Sequence, residues 1–459
     1  MSDREARTGP VVTGDSALSA SLGRRAVVLV GNPAAPYSRG LRIARSLADS
    51  GFRVEIAAVA ADGIPDAEAD GQITIRRYRP SGPFAPMAAT YRAPAGPAVA
   101  PATSGRRPPR IVRAMRGAGA AMRRWVFWPH TVRGWWATIA RDLEPADLYH
   151  ACGSLAVAPA LAARERDRRA GRSSRVIYDA IDDVVGGNNT IGMPSAVRAV
   201  IRRREGRWAR AADGRITVND ALAATLGARW QIDGLPVVVP NWPQPAAPAG
   251  DRPDLIRAAL GLPRDTRIVV FQGRLGPNLG LDAAAAAILE VPDTVLCLIG
   301  FGRGYAASLA RDADPRYAGH HRTLPAVHPD EILAWTASAD AAVVPLPPVS
   351  ANQRASTPNK FWEAIAAGTP VVIGPDLPVM GELVRTFDLG VVAVSLGATD
   401  LAAAIKLVLD VAPGVAIARR ERILSVARER FAWPVAESRY RALVTNILDS
   451  PAAGRHGAR

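Results

Sequence analysis

The residues best arranged for chemistry fall in one stretch, STPNKFWEAIAAGTPVV (356–372). Thr357 is a good N-cap and Pro358 a good first helical residue, while Gly368 and Pro370 should stop the helix. That spacing leaves the amides of Asn359, Lys360 and Phe361 free at a positive helix end, which suits a diphosphate. Glu363 lies one turn further in, on the same face as Asn359. A carboxylate there can accept hydrogen bonds from two adjacent ribose hydroxyls. The plainer alternative is an acid that merely stabilises the first turns of a helix.

Such a helix end needs a parallel sheet behind it, because ligands of open α/β sheets bind outside the carboxyl ends of the strands. Five short apolar runs provide one: RIVVFQG (267–273), TVLCLIG (294–300), HRTLPA (321–326), DAAVVPL (340–346) and TPVVIG (369–374), with helical patterns between them. Upstream, RAVVLVG (25–31), a helix around 41–50 and RVEIAAV (53–59) make a βαβ unit. QITIRRY (72–78), ADLYHA (146–151), RVIYDA (175–180), RITVN (215–219) and PVVVPN (236–241) extend that first sheet.

The fold class is therefore α/β, with two doubly wound, Rossmann-like domains facing across a cleft. The first spans 25–242 and the second 243–425, joined through the proline-rich linker 241–254, and a terminal helix within 426–450 can pack back on the first. Residues 1–24 and 451–459 read as disordered tails. A Pro, Ala and Gly-rich run from 80 to 110 opens a flexible, arginine-rich insert reaching about residue 130.

Composition narrows the function classes. The longest apolar runs fall short of a membrane span, and the charged N-terminus lacks the apolar core of a secretory signal, so a cytoplasmic chain is expected. The two cysteines, Cys152 and Cys297, sit in strands or at strand ends without a CxxC partner or a cluster of histidines and read as reduced core residues. A net charge of +15, nearly all arginine, favours anionic partners. No Walker lysine loop, GxSxG elbow or HExxH occurs.

STPNKFWEAIAAGTPVV resembles the donor-site signature of family 4 retaining glycosyltransferases, of GT-B fold, in the subgroup reading PNK, then Glu, then PVV. FQGRLGPNLGLD (271–282) resembles the family's phosphate loop, LIGFGRGY (298–305) its glycine loop, TASADAAVVPL (336–346) the strand before the donor helix, and DLYHACG (147–153) its DxxHA segment. The resemblance covers roughly 25–425 and is strongest over 266–390. It implies transfer of a sugar from a nucleotide diphosphate donor, UDP- or GDP-linked, to a glycan, lipid-linked or small-molecule acceptor, with retention and without a metal or other cofactor. Under it Gly273 and Arg274 meet the diphosphate, where a guanidinium's forked donors fit phosphate oxygens. Gly300 and Gly302 allow close backbone approach to the nucleotide. Asn359 and Lys360 complete that site, Glu363 binds ribose, and His150 lies just past a strand end, facing the cleft, with a satisfied structural histidine as the competing reading.

Three positions depart from the family. Leu279 stands where Lys or Arg is common, Ala355 where the first of two paired glutamates would hold the donor sugar, and Ile181 where the subgroup often has His. Asn352, Arg303 and Arg354 are the candidates to compensate. The departures keep two rivals open: a catalytically silent partner of a membrane glycan assembly complex, and a nucleotide-sugar epimerase. The triplet Asp312 to Asp314 mimics a metal-binding DxD but falls in a loop expected to bind none.

On a helical wheel, RIVRAMRGAGAAMRRWV (110–126) places Ile111, Met115, Met122, Trp125 and Val126 opposite Arg110, Arg113, Arg116, Arg123 and Arg124. That division suits an anionic membrane surface or, equally, a helix packed on its own domain with its arginines in water, whereas no recognition motif points to nucleic acid. Deletion of 106–128 is expected to leave a folded protein and, if the helix is interfacial, one that no longer sediments with anionic vesicles. Full vesicle binding by the deletion variant would refute this reading.

Overall fold

The structure, a computed structural model, describes residues 23–35, 37–81, 128–244 and 252–450. The tails, most of the insert and the amphipathic stretch 110–126 lie outside them. The first sheet comprises β1 (Arg25–Val30), β2 (Arg53–Val59), β3 (Ala67–Asp70), β4 (Ile73–Tyr78), β5 (Leu148–Cys152), β6 (Arg175–Ala180), β7 (Gly214–Thr217) and β8 (Val237–Val238). Its order is β3-β4-β2-β1-β5-β6-β7-β8, and every pair is parallel except β3 with β4. The cause is visible in β1, whose residues Ala26 to Val30 are wholly buried between two helical layers, as a near-continuous apolar run must be.

The second sheet is parallel throughout: β9 (Arg267–Arg274), β10 (Thr294–Phe301), β11 (His321–Pro325), β12 (Ala341–Val344), β13 (Val371–Ile373) and β14 (Gly390–Val392), in the order β11-β10-β9-β12-β13-β14. It has six strands where the sequence pattern predicts five. The extra one, β14, is a three-residue edge strand beginning with glycine, too short for a periodic signal.

Both sheets reverse direction at a definite place. The chain runs outward from β1 to β2 and β4, then returns on the other side of β1 as β5. In the second sheet it runs from β9 to β10 and β11, then returns beside β9 as β12. The carboxyl ends of β1 and β9 thus lie at the switch points where open sheets bind ligands.

The two switch points meet. The helix Asn359–Ala366 of the second domain touches the helix Ser38–Asp49 of the first, with Asn359 Nδ2 donating to Ser38 Oγ at 3.1 Å. Behind the former, Trp362 stacks edge-on against Trp242 of the linker and beside Phe431, at ring separations of 5.9 and 5.1 Å. The terminal helix Trp433–Asp449 lies on the first domain: Trp433 Nε1 donates to Ser46 Oγ, and Arg175 Nε to Ile447 O. Among the described residues no single helix is long and apolar enough to cross a membrane.

Candidate functional site

At the end of β9 the backbone turns through Gly273, whose φ of +104° favours glycine, and delivers Arg274 exposed to the cleft. Lys360 comes from the neighbouring helix start. Its ammonium lies 4.7 Å from the centre of the Phe271 ring and beside the Gly273 backbone, while Gln272 Nε2 donates to Lys360 O at 3.2 Å. Two cations therefore converge at one strand end. Burial pushes the Lys360 pKa down to about 8, with Glu363 opposing the fall and Arg274 adding to it.

Glu363, half-buried one turn along, has its carboxyl pushed above the ordinary range by burial, and Arg42, Lys360 and the Gln272 amide only partly reverse this. The helix cap differs from the predicted one. Pro358 is the N-cap and offers no side-chain acceptor, and Thr357 Oγ1 instead accepts from Asn219 Nδ2 across the cleft. Phe361 N donates to Pro358 O, so the amides of Asn359 and Lys360 are the open ones.

Gly300 and Gly302 are required by protein, not only by any ligand. A Cβ on Gly300 would sit 1.9 Å from Gly273 O, and one on Gly302 2.8 Å from Leu275 O, so these glycines let β10 close on the loop after β9. The Asp312 to Asp314 triplet is divided: Asp312 ends a helix and holds His321, and Asp314 pairs with Arg316.

His150 corrects the sequence expectation. It lies in the middle of β5, not past its end, and is wholly buried. Its Nε2 meets Asp179 Oδ2 at 3.3 Å and its Nδ1 meets the Tyr440 hydroxyl at 3.1 Å, so both ring nitrogens are occupied. Burial drives its pKa down despite Asp179, which keeps the ring neutral, donating to Asp179 and accepting from Tyr440. It belongs to the floor of the first domain and does not face the cleft.

That floor is organised by a residue the sequence reading missed. Arg39 donates through Nε and Nη2 to both oxygens of Asp179, at 2.6 and 2.8 Å, and through Nη1 to Val239 O and Asn241 Oδ1. Burial would raise the Asp179 carboxyl, but the guanidinium overrides it and holds it below the usual range. Arg39, Ile43, Ser46 and Leu47 are all buried in their helix, so an arginine beginning an apolar stripe was the available signal. His150, Cys152 and Asp179 do converge, with one ligand atom of each within 4.8 Å of the others. Asp179, however, already carries the guanidinium.

Between the switch points lies a cavity of about 200 Å³, lined by Tyr37, Arg39, Ile181, Asp182, Val218 and Asn241 from the first domain and by Ser356 to Asn359 from the second. The segment leading into Ser356 docks on the first domain. Asn352 Oδ1 accepts from Asp183 N, its Nδ2 donates to Asp182, and Ala355 O accepts from Asn219 Nδ2 at 2.8 Å. The Ala355 side chain packs on the first domain's core, and Leu279 packs into the second domain. Asn352 is thus engaged across the cleft, Arg354 holds Pro348 O, and Arg303 is exposed.

The Lys360 geometry yields a prediction. A bound diphosphate favours the ammonium, so affinity should decline above about pH 8, as unliganded protein must first take up a proton. Lys360→Met should bind more weakly at neutral pH and lose the decline. Calorimetry across that range decides, and an unchanged decline in the variant places the titrating group elsewhere.

A family model described as Glycosyl transferases group 1 matches residues 266–410. No curated protein matches the chain in sequence. Among solved structures it is similar to a sucrose-phosphate synthase from Thermosynechococcus elongatus, at 17% identity and a TM-score of 0.61, covering 92% of this chain and 99% of that one. It is also similar to Anabaena HepE in complex with UDP and glucose, at 14% identity, a TM-score of 0.60 and coverage of 92% and 99%. Starch synthase IV of Arabidopsis thaliana, whose catalytic domain was solved with ADP and acarbose, gives 12%, 0.59, and 93% and 100%. At these identities the likeness establishes the fold, and the family match falls on the domain that carries Arg274, Lys360 and Glu363. The chain has the GT-B fold, and residues 266–410 of its second domain match the model of the glycosyl transferases group 1.

Proposed function

We propose that this chain transfers a glycosyl group from a nucleoside diphosphate sugar to a hydroxyl acceptor, with retention of configuration. The observation that carries the reading is the convergence of Arg274, Lys360 and the open helix end, with Glu363 one turn away. Lys360 supplies the second cation that Leu279 cannot. Those positive groups would stabilise the leaving diphosphate as charge develops on it, which is where electrostatic preorganisation lowers a barrier most. Glu363 would take the ribose hydroxyls, and the acceptor would enter the cavity beside Asp182 and Asn241. Solved relatives named with UDP and ADP support such a donor.

A second reading is a silent nucleotide-binding partner, favoured by the Ala355 side chain packing against the first domain where a carboxylate would be needed. Incubation of the protein with UDP-, GDP- and ADP-sugars and mixed acceptors separates the two. Turnover is expected to retain the donor's anomeric configuration by NMR and to persist in EDTA. An inverted product or strict dependence on manganese contradicts the first reading, and nucleotide binding without turnover supports the second.

A further inference from the structure

The loop after β6 is fixed by its own domain before the second domain touches it. Asp183 is buried, its carboxylate takes both terminal nitrogens of Arg229, and its Oδ1 also accepts from Gly186 N at 2.8 Å. A Cβ on Gly186 would stand 2.3 Å from Asp183 Oδ2 and 3.1 Å from Ala351 Cβ, so glycine lets the loop close on its own acid and receive the other domain at one point. Onto that loop the second domain sets Asn352, from the short helix Ala351–Ala355. Its backbone N donates to Gly186 O at 3.1 Å, its Oδ1 accepts from Asp183 N at 2.7 Å, and its Nδ2 donates to Asp182 Oδ1 at 2.9 Å. A carboxamide supplies at once the acceptor that Asp183 N needs and the donor that Asp182 needs. Asn219 answers from the first domain, donating to Ala355 O at 2.8 Å and to Thr357 Oγ1 at 3.3 Å.

Asp182 is unlike the acid beside it. It is exposed on the cavity wall, and among the described residues its carboxylate forms no ion pair and takes one hydrogen bond, the one from Asn352. Left alone, such a side chain rotates among its staggered conformers. Ile181 and Val218 line the same cavity, so an acceptor-only group stands beside apolar surface. A sugar ring carries the complement, hydroxyl donors on its rim and C–H groups on its face. We propose that Asn352 is a positioning residue for the acceptor: from the second domain it fixes the Asp182 carboxylate of the first at the cavity wall, and that carboxylate receives a hydroxyl of a sugar acceptor. The proposal rests on the reading that the acceptor enters this cavity. Its consequence is that the acceptor is oriented while the domains are together, since the group that aims Asp182 leaves with the second domain.

The test uses the full chain with UDP-, GDP- and ADP-sugars as donors and a panel of octyl glycosides as acceptors. Asp182→Asn keeps an oxygen for Asn352 Nδ2 and removes the carboxylate, so the acceptor KM should rise about 10-fold or more, as for loss of a charge-assisted hydrogen bond, with donor KM and nucleoside diphosphate affinity unchanged. Asn352→Ala should raise the acceptor KM as well and speed hydrogen exchange at the Asp183 amide, which loses its acceptor. The double variant Asn352→Asp/Asp182→Asn re-forms the bond with donor and acceptor exchanged and still offers Asp183 N an oxygen. Exchange at that amide should return to the slow parental rate while the acceptor KM stays high. Full recovery of the acceptor KM in the double variant overturns the proposal, because the pair would then serve closure alone. An acceptor KM unmoved in Asp182→Asn, or a donor KM that rises equally, overturns it too. If the parent chain turns over no donor with any of these acceptors, the transferase reading fails and takes the proposal with it.

Discussion

Replacing Arg39 with methionine is expected to lower the stability of the chain by about 3–5 kcal/mol, because it leaves the Asp179 carboxylate buried and unpaired. The side chains of both partners are almost fully enclosed, at 2% and 0% exposure, so water cannot take the place of the guanidinium. Val239 O and Asn241 Oδ1 lose their donor in the same step.

The pH dependence is a second signature. In the parent chain Asp179 is held below the ordinary carboxylate range, so its stabilisation is complete above the unfolded value of ~4 and is lost as pH falls through the lower folded value. His150 acts in the same sense. It is neutral when folded, and the unfolded chain gains a proton there near pH ~6.5, so stability drops as pH falls below that point. In Arg39→Met burial acts on Asp179 opposed only by the His150 contact, and the carboxyl protonates sooner. The stability gap between the two chains should therefore narrow from pH ~7 to pH ~5. Urea denaturation at both values checks this, with Arg39→Met/Asp179→Asn recovering part of the loss. A single variant as stable as the parent would show that the pair does not organise the floor.

Arg274→Ala is expected to weaken nucleoside diphosphate binding by roughly 10- to 150-fold, equivalent to about 1.5–3 kcal/mol for a charge-assisted contact. Free nucleoside should bind the variant almost as well as it binds the parent. Glu363→Gln should fail differently. It keeps size but loses the ionised acceptor, so nucleoside and nucleoside diphosphate should weaken together, and the 2′-deoxy form should bind nearly as well as the ribo form. Adding Lys360→Met to Arg274→Ala should remove most of the remaining diphosphate affinity, since the two cations share one strand end. Calorimetry with three ligands on these variants decides, and equal affinities throughout would place the donor site elsewhere.

The two sheets were legible because β1, β9 and β10 are near-continuous apolar runs between turn formers. The edges were not: β3 reads AEAD and is largely exposed, so nothing in its residues demands a strand. The spacing of Asn359, Lys360 and Glu363 on one helix was equally legible, since helical period alone puts them on adjoining faces. His150 was misplaced for a physical reason. Whether a histidine at a strand end is open or covered depends on what lies above it, and here that is Tyr440, 290 positions away. Arg39 escaped for the same reason, because its partner Asp179 comes from a distant segment.

Tyr440 also dictates an order of events in the making of the protein. The floor of the first domain is closed by a side chain from the last helix, yet the first sheet has left the ribosome about 200 residues earlier. At ordinary elongation rates of about 5–20 residues per second, that interval lasts roughly 10–40 s. During it, strands β1, β5 and β6 stand paired but roofless on one side, with the Arg39, Asp179 and His150 cluster open to water. Closure of that floor therefore waits on the helix that carries Tyr440.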